Sequence, residues 1–102
     1  PEDGPYMIVA EALTGSMISL SWQPPPSYIG RSVADLEYEI RYTNRPSSDP
    51  SRWLAARVSG SRNTTLLTHL TSDQLYAIRI RPVNSFGQGP SSNSIVVTTK
   101  SG

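Results

Sequence analysis

The sequence predicts an all-β domain, built as a two-layer antiparallel β-sandwich of seven strands. Apolar and polar residues alternate with the two-residue period of a strand, and no stretch shows the 3.6-residue apolar period of a helix. Clusters of Gly, Pro, Ser, Asn and Asp separate the alternating segments. Because no helix is predicted to cover the apolar face of a sheet, two sheets must cover each other.

Three segments, 16–22, 36–42 and 75–83, alternate most regularly and predict the central strands. One face of each segment is apolar and the other is polar or charged. The apolar positions are Ile18, Leu20 and Trp22, then Leu36, Tyr38, Ile40 and Tyr42, then Tyr76, Ile78 and Ile80. A run of three prolines from Pro24 ends the first strand, because proline donates no ladder hydrogen bond.

Four weaker strands are predicted at 5–13, 53–58, 64–68 and 94–99. Each has a shorter alternation, and turn signals such as NRPSSDPS, SGSRN and GQGPSS lie between them. Together with the three central strands they make seven.

Length and composition bound the class of protein. A chain of 102 residues suffices for a single domain, predicted over 1–102 with a core at about 5–99 and a tail at 100–102. The net charge of +1 gives no general attraction to nucleic acid or to a lipid surface. With no Cys and a single His, His69, we expect no disulfide, metal or other cofactor.

No apolar run approaches the roughly 18 residues of a membrane span, and no basic-then-apolar leader begins the chain. We therefore expect a soluble module excised from a longer protein, monomeric when isolated and without direct membrane insertion.

Several landmarks occur in an order typical of one family. They are Pro5, Trp22 followed by Pro24 and Pro25, YEIRY at 38–42, Trp53, Leu70 six residues before Tyr76, and RPVNSFGQGPSS at 81–92. On these residues the chain resembles a fibronectin type III domain over about residues 5–99.

The resemblance implies an immunoglobulin-like sandwich with strands A, B, C, C′, E, F and G in chain order, in sheets A-B-E and C-C′-F-G. It implies a tyrosine corner at Leu70 and Tyr76, in which the buried phenol bonds upstream backbone, and a core tryptophan at Trp22. The expected structural core contains Trp22, Tyr38, Ile40, Leu70, Tyr76 and Ile78.

Three features depart from the family pattern. The connection at 24–37 is longer than expected, so its conformation does not transfer from the family. Pro82 lies in a strand expected to be flanked on both sides, which predicts a bulge or a strand end there. The segment GQGPSS at 87–92 replaces the Trp-Ser-x-Trp-Ser box of cytokine receptors, which argues against cytokine binding.

The loop at 84–90 lies where some family members carry an Arg-Gly-Asp integrin signal, and this loop has no such triplet. Its glycines are typical of turn positions with positive φ. Phe86 either packs on its own turn or anchors a protein partner.

A second candidate surface combines arginines with Trp53. Arg41, Arg79 and Arg81 project from one predicted sheet face beside glutamates, and cross-strand ion pairs explain this without a ligand. Trp53 is out of parity with Ala56 and Val58, which places it over the same face, where an arginine can stack on the indole. The alternative interpretation is a protein-binding patch that includes Trp53, Arg79, Arg81 and Phe86.

Two further features bear on location and partners. Asn63-Thr64-Thr65 is an N-glycosylation sequon, so Asn63 is a possible glycan site. The arginines at 31, 45, 52, 57 and 62 could gather at one end as a polyanion site, which remains a minor alternative because sequence does not show their grouping.

The sequence favours no catalytic site. Its serines lack a nucleophile-elbow context, and GQGP has neither the helix nor the lysine of a phosphate-binding loop. Glu37 and Glu39 are expected to stay ionised beside Arg41, which does not suit an acid-base pair.

The leading hypothesis is a non-catalytic extracellular module of a multidomain receptor or adhesion protein. It would act as a rigid spacer between neighbouring domains of the same chain and as a surface for an extracellular protein ligand. The alternatives are a structural repeat of an intracellular filament-associated protein and an accessory domain of a secreted enzyme.

Overall fold

The computed structural model describes residues 6–23, 36–84, 87–88, 92 and 94–102. Seven strands correspond to the seven predicted ones, each within two residues of its predicted bounds. An additional two-residue strand and one short 3-10 turn at Pro50–Arg52 complete the described elements. The strands are β1 (Tyr6–Ala12), β2 (Ile18–Gln23), β3 (Glu37–Thr43), β4 (Leu54–Ser59), β5 (Thr64–Leu67), β6 (Leu75–Asn84), β7 (Gly87–Gln88) and β8 (Ile95–Thr98).

The strands form two antiparallel sheets, and this arrangement confirms the predicted sandwich. One sheet has the order β1-β2-β5, and the other has the order β4-β3-β6, with β7 and β8 both paired to β6. In the family's lettering these are A-B-E and C′-C-F-G. The strongly alternating β3 and β6 lie side by side in the centre of the second sheet, in register from Glu37 opposite Val83 to Thr43 opposite Ala77.

The core lies between the sheets and consists of the apolar positions of the alternating segments. Trp22 of one sheet packs edge to face on Tyr38 of the other, with ring centroids 5.5 Å apart and an interplanar angle of 68°. The buried cluster is Ile18, Leu20, Trp22, Leu36, Tyr38, Ile40, Leu67, Leu70, Tyr76, Ile78 and Ile80. It includes all six residues of the expected structural core.

A tyrosine corner joins β6 to the turn before it. The Tyr76 hydroxyl accepts a hydrogen bond of 2.8 Å from the backbone N–H of Thr71. The neighbouring Leu70 is buried, and its N–H donates to the carbonyl of Ser16 in the β1–β2 turn. The segment between β5 and β6, which passes from one sheet to the other, is therefore hydrogen-bonded to both sheets.

The bulge or strand end predicted at Pro82 is absent from β6, so that expectation was wrong. Pro82 is fully buried and pairs with Tyr38 in an unbroken register. Ile80 exchanges hydrogen bonds with Ser92, on the side of β6 away from β3. Backbone groups two residues apart point to the same side, so the nitrogen of Pro82 faces away from β3, and the ladder between β3 and β6 loses no donor.

β1 is irregular near its start. Its register with β2 shifts between Tyr6 and Val9, and Met7 has a φ of 55°, in the left-handed region that residues with a Cβ disfavour. This places a β-bulge at the exposed edge of the first sheet.

The described chain begins and ends at opposite ends of the sandwich. Tyr6 pairs with Gln23 at the end that holds the β4–β5 turn, whereas Gly102 lies against Ser72 and Gly15 at the other end. The molecule measures 42 × 26 × 19 Å. In the part of the chain that the structure describes, no helix has the length and apolar character to cross a membrane. The long connection at 24–37, expected to depart from the family, falls mostly outside the described residues.

Candidate protein-binding face

The outward positions of β3, β4 and β6 form one charged surface, here called the charged face. The pairing register places Glu39 between Arg57 on one side and Arg81 on the other, and sets Arg41 opposite Arg79. The charged face consists of Glu37, Glu39, Arg41, Arg57, Arg79 and Arg81. Four arginines against two glutamates leave it with a formal charge of +2.

Glu39 is the centre of the charged face. Its side chain is only 6% exposed, and its Oε1 accepts hydrogen bonds from Arg81 Nε at 2.6 Å and Arg41 Nε at 3.2 Å. Arg57 Nη2 lies 3.5 Å from Oε2 and also reaches Glu37 through Nη1 at 3.3 Å. One carboxylate therefore orients three guanidinium groups.

The pKa of Glu39 is set by two opposing effects. Burial of the carboxylate raises the pKa, and the hydrogen bonds and positive charges of Arg81 and Arg41 lower it. The arginines together outweigh burial, so the pKa of Glu39 lies below its ordinary value. The carboxylate stays ionised at neutral pH and acts as a fixed counterion rather than as a proton donor.

Arg79 is held by a different set of contacts. Its guanidinium carbon lies 5.1 Å from the centroid of the Trp53 ring, and its Nε donates to Ser94 Oγ at 2.8 Å. Trp53 is itself anchored, because its Nε1 donates to the carbonyl of Ser48 at 3.2 Å. Two arginines directly opposite each other on a sheet repel, and the indole and Ser94 hold Arg79 while Glu39 binds Arg41.

The structure brings together three of the four residues proposed for protein binding. Trp53 and Arg79 are in contact, and Arg81 lies in the ion-pair cluster on the same face. Phe86, the fourth, falls outside the described residues. Asn63 is exposed in the turn between β4 and β5, and its carbonyl accepts a hydrogen bond from the Trp22 N–H.

Sequence reasoning missed the place of Arg57 on the charged face. Arg57 was grouped with loop and edge arginines as part of a possible basic end, whereas it pairs with both glutamates across β3 and β4. Arg57 alternates in phase with Ala55 and Ser59 and out of phase with the apolar Val58. This pattern was the available sign that its side chain points outward. The cross-strand register, which the sequence does not state, was needed to set it beside Glu39.

The five arginines of the minor polyanion alternative do not gather at one end. Arg57 lies on the charged face, Arg62 in the β4–β5 turn, and Arg45 and Arg52 in the β3–β4 loop at the opposite end. Arg31 falls outside the described residues. Among the residues that the structure describes, no group of three His, Cys, Asp or Glu side chains could hold a metal ion.

The chain is similar to known proteins over nearly its whole length. The family model described as "Fibronectin type III domain" matches residues 3–98. Contactin-3 of Mus musculus is 33% identical over 100 residues, which are 98% of this chain and 10% of that protein. Tyrosine-protein phosphatase Lar of Drosophila melanogaster is 27% identical over 101 residues, 99% of this chain and 5% of that protein. The human netrin receptor DCC is 34% identical over 82 residues, 80% of this chain and 6% of that protein. The chain thus spans a tenth or less of these curated relatives.

Solved structures agree with the fold. The FN1–FN3 domains of chicken CNTN1 superpose with a TM-score of 0.82 at 27% identity, over 98% of this chain and 33% of that one. The fn3 domain of human contactin 1 superposes with a TM-score of 0.83 at 25% identity, over all of this chain and 81% of that one.

Proposed function

The chain belongs to the fibronectin type III family, and from that premise we propose that it is a non-catalytic extracellular module of a multidomain receptor or adhesion protein. In this role residues 1–102 form a single domain that spaces its neighbours and presents the charged face to a protein ligand. The observation that carries the binding role is the stack of Arg79 on Trp53 beside the Glu39 cluster.

The relatives support the receptor or adhesion context. They include contactins, a receptor-type tyrosine-protein phosphatase and a netrin receptor, and in each the matching region is a small part of a long chain. Fibronectin type III domains are generally non-catalytic, so the phosphatase activity of such relatives belongs to other parts of their chains.

The placement of the chain ends supports the spacer role. The described chain begins and ends at opposite ends of the sandwich, so a module of this kind would separate the domains that flank it. The core joins both sheets through the Trp22–Tyr38 contact, and close-packed interiors of this kind deform little. In this proposal the first partners are neighbouring domains of the same chain, and we expect the isolated module to be a monomer.

The charged face suits a protein ligand because its side chains are already positioned. Arg and Trp are enriched among residues that dominate binding energy, and pre-positioned side chains lose less entropy on binding. Arg79 and Arg81 are held by Trp53, Ser94 and Glu39 while remaining partly exposed. We include Phe86 in the same proposal from its place in the loop that follows β6.

Chemical-shift mapping tests the binding role. The isotope-labelled domain is titrated with candidate extracellular partners, and the expected shifts fall on Trp53, Arg79 and Arg81. The variant Arg79→Gln should weaken binding by about tenfold or more, as expected for loss of a hot-spot arginine. Arg62→Gln removes the same charge from the far turn and should leave binding unchanged. A partner that binds without perturbing the charged face would refute the assignment.

Glycosylation tests the extracellular location. Asn63 is exposed and begins the sequon Asn63-Thr64-Thr65, so the protein isolated from its native source should carry an N-linked glycan there. Mass spectrometry before and after enzymatic deglycosylation measures occupancy. Native protein without a glycan at Asn63 and found on intracellular filaments would favour the filament-associated alternative instead, and a full-length chain with an appended hydrolase would favour the secreted-enzyme alternative.

A further inference from the structure

A cavity of about 430 Å³ lies at the end of the sandwich away from Asn63, between the β3–β4 loop and the β5–β6 turn. Arg45 and Arg52 line it from the loop, His69 lines it from the turn, and Tyr76 closes it from β6. This cavity is separate from the charged face, whose outward side chains do not line it.

The two arginines of the cavity differ from those of the charged face. Arg41, Arg57 and Arg81 bind glutamates, whereas the Arg45 and Arg52 guanidinium groups have no ion-pair partner among the described residues. No Asp or Glu lines the cavity among these residues.

The acidic residue of the same loop is not paired with either arginine among the described residues. Asp49 Oδ1 accepts a hydrogen bond from the backbone N–H of Ser51 at 3.0 Å, and among the described residues its carboxylate forms no ion pair with Arg45 or Arg52. The loop therefore leaves two guanidinium groups available to a bound anion.

The other polar groups of the cavity add hydrogen-bond donors. The Tyr76 hydroxyl accepts from the Thr71 N–H, which leaves its own proton to be donated. His69 is paired with Thr68 through Nδ1 at 3.1 Å, and its Nε2 remains for another partner. His69 also has a φ of 60°, a strained conformation of the kind that concentrates at functional sites.

We propose that this cavity binds an oxyanion of the sulfate or phosphate type, carried on a molecule about the size of a saccharide. Guanidinium groups suit such anions because their planar donors match two oxygens at once and they are weakly hydrated. The cavity volume falls within the range of small-molecule sites and far exceeds a bare ion, so the remaining space accommodates the group that carries the anion.

Titration with sodium sulfate tests the anion site. Amide shifts are followed at constant ionic strength, with sodium chloride as the control salt. We expect saturable shifts at the backbone amides of Arg45, Arg52 and Thr71, and no shift at the amide of Arg62. Arg45→Gln and Arg52→Gln should each weaken binding by about tenfold, as expected for loss of one charge-assisted hydrogen bond.

Arg62→Gln is the matched control for that titration, because it removes an exposed arginine at the far end of the sandwich. Circular dichroism verifies that each variant is folded, and the second arginine variant replaces the first if one misfolds. Equal weakening by Arg62→Gln, or shifts spread over all arginines, would show only general charge screening and overturn the proposal. Absence of saturable shifts would overturn it too.

A sulfated disaccharide and its desulfated counterpart identify the carrier. Tighter binding of the sulfated form than of inorganic sulfate, with no binding of the desulfated form, supports a carried anion. Equal affinity for sulfate and the sulfated disaccharide would keep the oxyanion site and overturn the part of the proposal that concerns a saccharide-sized carrier. These results do not depend on whether the charged face binds a protein, so the two proposals can fail separately.

Discussion

At the scale of single residues, Glu39 shows how one buried carboxylate organises a surface. Removal of a charge from water is costly, and three arginines offset that cost here. A buried ion pair is weak evidence for stability by itself. Its clearer consequence is orientation, because the guanidinium groups of Arg41, Arg57 and Arg81 share one acceptor and cannot move independently.

Replacement of Glu39 by Gln should destabilise the domain at pH 7 by about 1–3 kcal/mol, because charge-assisted hydrogen bonds are lost and three arginines are left close together. Glu37→Gln is the control. Glu37 is 49% exposed and, among the described residues, has Arg57 as its single partner, so its loss should cost no more than about 0.5 kcal/mol. Urea unfolding of both variants measures the free energies, and equal effects would contradict the central role of Glu39.

The lowered pKa of Glu39 also predicts that its contribution to stability depends on pH. Because the pKa of Glu39 is lower in the folded state than in the unfolded chain, its contribution is complete above the unfolded value of about 4.3. The contribution is lost as the pH falls through the folded pKa. The stability gap between the wild type and Glu39→Gln should therefore be constant near pH 7 and narrow below about pH 4. A gap that widens on acidification would contradict the lowered pKa.

Tyr76 gives a second prediction at this scale. Tyr76→Phe removes the acceptor of the Thr71 N–H and should cost about 1–3 kcal/mol, since a part-buried donor is left unpaired. Tyr42→Phe is the control, because Tyr42 is half-buried and the described residues provide no hydrogen bond to its hydroxyl. Chemical denaturation compares the two variants, and a smaller loss for Tyr76→Phe than for Tyr42→Phe would contradict the tyrosine corner.

At the scale of elements, two residues that disfavour a regular strand, Pro82 and Met7, occupy positions that accommodate them. β6 admits Pro82 because its nitrogen faces away from β3, in the gap between the pairings with β8 and β7. β1 admits the bulge at Met7 because it is an edge strand. An edge position lets a chain depart from the ladder without the loss of two sets of hydrogen bonds.

Met7→Gly should stabilise the domain by about 0.5–1 kcal/mol, because glycine adopts a φ of 55° without the steric cost of a Cβ. Val9→Gly is the matched control on the same strand, where both side chains are mostly exposed. It should destabilise by a similar amount, since glycine weakens a regular strand. Thermal unfolding compares them, and a loss of stability in both would argue against the bulge at Met7.

At the scale of the whole molecule, the two sheets depend on a single core. Trp22 from one sheet and Tyr38 from the other meet edge to face, and the buried cluster draws on both sheets. Neither sheet has another cover for its apolar face among the described residues. The sandwich should therefore unfold as one cooperative unit.

Ile78→Ala should cost about 2–5 kcal/mol, because the side chain is fully buried in the shared core. In a Trp53→Phe background, Trp22 fluorescence reports on one sheet while far-UV circular dichroism reports on all strands. Both signals should give the same midpoint, and Ile78→Ala should lower both equally. Val96→Ala, at a position 61% exposed, should leave them unchanged. Separate midpoints would contradict a single core.

The seven longer strands and their faces could be predicted because burial imposes a two-residue period on the sequence, whereas their division between the two sheets was implied only by the family resemblance. Ile18, Leu20 and Trp22 show this directly, as their alternation with serines required one dry face. The prediction at Pro82 was wrong because a proline disrupts a sheet only where its nitrogen faces a paired strand. The sequence does not state whether that nitrogen faces β3 or the opposite side of β6.

The amino-acid sequence by itself determined the all-β class, the positions of the seven longer strands and most residues of the core, because these follow from local alternation and turn chemistry. Only the tertiary structure decided that Arg57 reaches Glu39, that Arg79 is the arginine stacked on Trp53, and that Arg45 and Arg52 share a cavity with His69. Those contacts join residues of different strands and loops, and their distances are set by cross-strand register and loop packing. Register and packing are properties of the folded chain as a whole, so no local pattern in the sequence records them.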